Sequence, residues 1–210
     1  NETYSKVYSF YNKDKKLLQV FFNNDELQIL AISSIDKNIS ITSISNDGSK
    51  SENAIRAENS ALNTLNNLYN YTYTTEKNNF SLVRINENKY NSFSETHSLS
   101  KCYLKNDTFV ICLDMNPNET EILSINIKDK TAVNNIIKRE TIENIISYNS
   151  LIIDNNILQV EQNKANYYLS VKDMQGNIIK KFSENDFQIS KYFAEYELGK
   201  IDEIERKNYF

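Results

Sequence analysis

The stretch from Leu151 to Phe182 constrains the fold of this chain most. It contains four short runs rich in Ile, Leu, Val, Tyr and Phe: Leu151–Ile153, Ile157–Glu161, Tyr167–Lys172 and Asn177–Phe182. Between them lie Asp154-Asn155-Asn156, Gln162–Asn166 and Asp173–Gly176. Asn, Asp and Gly tolerate positive φ, and Asn and Asp side chains close turns on the neighbouring backbone. Apolar runs of this length, bounded by such turns, predict strands joined by hairpins. The stretch therefore reads as a four-stranded antiparallel meander, and it serves as a template for the rest.

The same order of strands and turns opens the chain. Tyr4–Tyr11 reads as a strand, followed by Leu17–Phe22, Leu27–Ser33 and Ile39–Ile44, with Asn23-Asn24-Asp25, Asp36-Lys37-Asn38 and Asn46-Asp47-Gly48 as turns. Further on come Asn70–Thr74, Phe80–Ile85, Tyr90–Phe93, Lys101–Leu104, Phe109–Leu113, Glu121–Ile127 and Ala132–Ile137. The apolar residues of Thr131–Asn149 spread all round a helical wheel, which favours two strands, Ala132–Ile137 and Ile142–Tyr148, or a strand and a loop. The third-strand centres fall near Ile41, Leu82, Ser124 and Leu169, about 42 residues apart. Four-stranded units at such a period are the pattern of a β-propeller. One segment departs from it. Ala54, Ile55, Ala61, Leu62, Leu65, Leu68 and Tyr69 share one side of a helical wheel, and Ser49 with Glu52 fits a capping box. This predicts one inserted helix near residues 51–69.

The expected fold is thus mainly β and propeller-like, with an α+β sandwich as the alternative. A single domain is expected over residues 1–198. Residues 199–210 read as a charged tail or linker after Gly199, and Asp186–Leu198 reads as a strand start or a helix. The chain opens on Asn1 and not Met, so it reads as either processed or, in preference, a fragment of something longer. The abundance of Asn, Ile, Lys, Ser and Tyr suggests an AT-rich coding sequence.

Composition narrows the function classes. A net charge of -4 gives no electrostatic reason to expect nucleic acid or an anionic membrane. No apolar run approaches the roughly 20 residues that span a bilayer. With His97 as the one histidine, histidine-based metal sites and charge-relay pairs are not expected, and it reads as a loop histidine. Three scattered glycines, Gly48, Gly176 and Gly199, cannot build a phosphate loop. Asp25, Asp36, Asp47, Asp107, Asp154 and Asp173 all fall in predicted turns, where backbone reasons suffice for them. Six Asn-x-Ser/Thr sequons, at Asn1, Asn38, Asn70, Asn79, Asn106 and Asn118, are about what chance gives in so Asn-rich a chain. No enzyme, cofactor or metal is therefore expected.

The positive sign is aromatic. Tyr69, Tyr71 and Tyr73 alternate on one predicted strand and would line one face, either packing between sheets or forming an interaction surface. The expected function is a non-catalytic protein-interaction or scaffold module within a larger protein or complex, with other proteins as partners and an intracellular rather than secreted site. The alternative is a secreted or envelope-attached β domain that binds a small ligand or glycan. Cys102 and Cys112 bear on that choice. A three-residue hairpin loop would oppose them directly, within reach of a disulfide, whereas a two- or four-residue loop sends them to different faces.

Overall fold

The computed structural model describes residues 15–23, 25–33, 35, 38–61, 63–64, 67, 82–86, 91–140, 144–164 and 166–182. The expected strands Tyr4–Tyr11 and Asn70–Thr74, the first two residues of Phe80–Ile85, and the segment after Phe182 lie outside these residues. The chain gathers into two compact units, Asn1–Arg139 and Glu140–Phe210.

The first unit contains two sheets. The first sheet is a meander of β1 (Lys15–Asn23), β2 (Glu26–Ser33), β3 (Ile39–Ile44) and β4 (Lys50–Ala54), paired antiparallel in that order. Asp25 turns the β1–β2 hairpin with φ 62°, and Gly48 takes φ 83° in the turn before β4. The second sheet is built on another meander: β7 (Ser100–Lys105), β8 (Thr108–Asn116), β9 (Glu119–Asn126) and β10 (Thr131–Lys138). Two-residue strands flank it, β5 (Arg56–Ala57) parallel to β10 and β6 (Val83–Arg84) parallel to β7.

The sheets share one core. Phe21, Leu30, Ile32, Ile39 and Ile41 of the first pack with Phe109, Ile111, Leu113, Leu123 and Ile125 of the second. Phe21 and Phe109 stack with ring centroids 5.3 Å apart and planes 8° from parallel. Ile55 joins the sheets covalently. Its N–H donates to the Ile39 carbonyl at 2.9 Å, and the next N–H, of Arg56, donates to the Lys130 carbonyl at 2.8 Å. The strand thus leaves one sheet and enters the other in a single residue, with the Ile55 side chain buried in the shared core.

That handover displaces the expected helix. Residues 51–57 belong to β4, Ile55 and β5, and helical residues begin at Asn59, with 59–61, 63, 64 and 67 helical. The Ser49/Glu52 capping box does not form. Ser49 closes the turn before β4, and Glu52 lies on β4 and pairs with Lys15. The genuine capping box stands at Ser92-Phe93-Ser94-Glu95, ahead of a short helix, Phe93–Thr96. There the Ser92 N–H donates to Glu95 Oε2 at 2.6 Å and the Glu95 N–H to Ser92 Oγ at 3.3 Å. The strand expected over Tyr90–Phe93 is therefore replaced, from Phe93 on, by helix.

The second unit contains the third sheet, the meander β11 (Ser147–Ile153), β12 (Asn156–Gln162), β13 (Tyr167–Asp173) and β14 (Ile178–Phe182). Its four strands stand where the Leu151–Phe182 template puts them. Asp154 and Asn155, with φ 47° and 62°, make a two-residue loop of the I′ kind. Of Ile142–Tyr148, Ile142 and Glu143 lie outside the described residues, and among the rest Ser147 and Tyr148 join a strand.

The chain is mainly β and built on four-stranded antiparallel meanders. Ile41, Ser124 and Leu169 each sit on the third strand of a meander. Leu82 does not: it precedes β6, a two-residue parallel edge strand. Among the described residues between Ala57 and Ser100 stand β6 and the helix Phe93–Thr96, and no four-stranded meander.

Candidate functional site

Tyr69, Tyr71 and Tyr73 lie outside the described residues. His97 is exposed in the turn after Phe93–Thr96. Of the six aspartates, Asp36 lies outside the described residues, while Asp25, Asp47, Asp107 and Asp154 stand in turns. Asp173, the last residue of β13, accepts from the N–H groups of Gln175 at 2.9 Å and Asn177 at 2.8 Å and from Asn177 Nδ2 at 2.8 Å. Among the described residues no group of three or more His, Cys, Asp or Glu side chains is placed to hold a metal ion, and no helix is long and apolar enough to cross a membrane.

The bonds to Asp173 yield a pH prediction. Its carboxyl is held below the ordinary 3.8, first by the Asn177 side-chain amide and then by backbone N–H groups. A depressed folded-state value stabilises the turn above the unfolded value, and that contribution is lost as pH falls through the folded one. The Asn177 amide resonance is thus expected to titrate with a midpoint below 3.8 and to become pH-independent in Asp173→Asn.

The β7–β8 hairpin settles the cysteine geometry. Its loop is the two residues Asn106-Asp107, so Cys102 lies opposite Ile111 and Cys112 opposite Lys101. The thiols point to different faces and both are free and buried. Cys102 faces the shared core, where Gln19 Nε2 reaches its sulfur at 3.5 Å. Burial pushes its pKa from 9.0 to about 11, and burial and the nearby Asp114 carboxylate raise that of Cys112 further still. For Cys102 the shift alone cuts the thiolate fraction about a hundredfold. Two free thiols are expected on non-reduced, denatured protein, with native labelling at least about a hundredfold slower than denatured labelling.

Beyond Cys112, the face of the second sheet away from the shared core buries an ionic network that the sequence reading did not identify. Asp114 sits in a bulge of β8, where two residues, Asp114 and Met115, oppose one on β9. Its Oδ2 meets Lys101 Nζ at 3.3 Å. Its Oδ1 accepts from Arg139 Nη2 and, at 2.9 Å, from Thr120 Oγ1. The Asp114, Lys101 and Arg139 side chains are fully buried. The signal was a single Lys and a single Asp at the ends of otherwise apolar runs.

The third sheet presents the more accessible feature. Directly opposed residues of an antiparallel pair share a face. Two cross-strand rows, Leu151–Leu158–Val171–Lys180 and Asn149–Val160–Leu169–Phe182, line one face, with Ile153 and Tyr167 towards its two ends. Its aliphatic side chains are half-buried along the rows, and Ile153 and Tyr167 are 50% and 49% exposed. The opposite face carries Ser150, Gln159, Ser170, Glu161 and Lys172, and these are buried. Ile152 and Ile157 share that buried face, so it is mixed in polarity, while the half-exposed face is mainly aliphatic.

A shallow cleft of about 270 Å³ lies along β5 and β10, lined by Arg56, Ala57, Glu58, Thr131, Ala132 and Val133. No protein-family model, curated protein or solved structure matches the chain.

Proposed function

We propose that the chain is a non-catalytic protein-interaction module, a scaffold unit of propeller-like construction within a larger protein or complex. In this reading the aliphatic face of the third sheet takes a four-stranded β unit other than the chain's own. The observation that carries the reading is the half-exposed run of Leu151, Leu158, Val160, Leu169 and Val171 on a sheet whose opposite face is buried. Contiguous exposed apolar surface of this kind marks contact sites. The nature of the occupant is argued from the first unit, where aliphatic faces of two four-stranded meanders cover one another. Stacking of four-stranded sheets is also how propeller blades associate. Buried thiols and an exposed lone histidine accord with a binding rather than a catalytic role.

The test is the pair Val160→Lys and Leu169→Lys, opposed across β12 and β13. A face meant for an external partner tolerates Lys in the isolated chain, with the unfolding free energy changed by less than about 1 kcal/mol. Association with the partner complex, read by co-sedimentation, is lost. A loss of several kcal/mol in the isolated chain would mean that the face is covered internally and would refute the reading.

A further inference from the structure

The buried network does more than pair charges, because of where its members sit. Lys101 is the second residue of β7, Asp114 lies near the end of β8, Thr120 near the start of β9, and Arg139 directly follows β10. All four positions fall at one end of the second sheet. One carboxylate therefore ties the four strands together at that end. The same end receives the residues that enter β7. Lys101 Nζ also donates to the Ser98 carbonyl, and the Asp114 N–H donates to the Leu99 carbonyl at 2.7 Å. It is also where the first unit ends, since Arg139 is that unit's last residue and its N–H donates to the Asn118 carbonyl at 2.9 Å.

We propose that Asp114 is a latch joining the segment that enters β7, residues 92–99, to the chain's departure at Arg139, so that order at one is coupled to order at the other. The shared element is a carboxylate with two discrete arrangements, latched by both cations or released. Coupling of two places needs such an element that both bias. Arg139 and the 92–99 segment are bridged through Asp114: the guanidinium holds Oδ1, and the ammonium bound to the Ser98 carbonyl holds Oδ2. Withdrawing the guanidinium leaves that carboxylate less fixed. Lys101 and the Ser98 carbonyl then lose their anchor. Local opening of such a unit appears in amide exchange at its own free energy, below that of global unfolding.

The experiment is hydrogen–deuterium exchange by mass spectrometry on the full chain, comparing Asp114→Asn and Arg139→Met with the unaltered protein. The expected result is a rise in exchange at residues 93–101 that exceeds the rise in β2 at least tenfold in both variants. Arg139→Met is the decisive variant, and it carries the test if Asp114→Asn does not fold. Faster exchange near residue 139 alone, with 93–101 unchanged, would overturn the latch. So would a uniform rise that includes β2, since the network would then contribute only to global stability.

Discussion

Phe109→Ala is expected to lower the unfolding free energy by about 3–5 kcal/mol, the usual cost of truncating a buried Phe. Phe109 is 1% exposed at the centre of the core shared by the first two sheets, and its ring lies on that of Phe21. Truncation removes apolar contact on both sheets and leaves a cavity that two hydrogen-bonded sheets cannot close by sliding. Urea unfolding checks it, as a lower midpoint with an unchanged slope. Phe21→Ala tests the contact itself. Combined with Phe109→Ala, it is expected to be non-additive by about 0.5–1.5 kcal/mol, the coupling of a packed aromatic pair. Simple additivity would mean that the two sheets do not pack through these rings.

Asp114→Ala is expected to cost a similar amount, about 3–5 kcal/mol, for a different reason. It leaves the buried ammonium of Lys101 and guanidinium of Arg139 without the carboxylate between them. Removing one partner of a buried ion pair strands an uncompensated charge in a medium that solvates it poorly. The complete network is another matter, because its Coulombic gain is offset by the desolvation of three charged groups. The triple variant Lys101→Met, Asp114→Leu, Arg139→Met is therefore expected to recover most or all of the loss, as hydrophobic replacements of buried ionic triads do. Chemical denaturation of the single and triple variants separates the two effects. A triple variant no more stable than Asp114→Ala would mean that the ionic geometry itself holds the sheet.

Much of the strand arrangement was legible because turn chemistry is local. Asp154-Asn155, Asn106-Asp107 and Asn46-Asp47-Gly48 each turn the chain where Asn, Asp and Gly tolerate the backbone, and the apolar runs between such turns pair as expected. The inserted helix was misplaced because the 3.6-residue pattern and the strand pattern overlap at Ala54 and Ile55. Pairing of β4 with β3 and the passage of Ile55 between sheets outweigh the helical periodicity up to Glu58. The same Ser-x-x-Glu spacing stands at Ser49 and Ser92, and only at Ser92 does a helix follow, so the motif needs its tertiary setting to be read.

The candidate face was less legible. Alternation along Ile157-Leu158-Gln159-Val160-Glu161 shows that the two faces of β12 differ in polarity, but not which of them is covered. Ile157, Gln159 and Glu161 share the buried face while Leu158 and Val160 are half-exposed, so polarity alone does not mark the covered side. The Lys101–Asp114–Arg139 network escaped a linear reading because its members are separated by 13 and 25 residues and meet only across strands.

The most direct measurement places a photo-crosslinking phenylalanine analogue at Ile153 or Tyr167, both on the aliphatic face, and at Ile136, which is 51% exposed on the second sheet. Irradiation is carried out in cells of the organism that makes the chain, and the adducts are mapped by mass spectrometry. The proposed function predicts adducts from positions 153 and 167 to strands of a β unit of different sequence, and none from position 136. Adducts to residues 183–210 of the same chain, adducts to a second copy, or no adducts from either position would contradict it.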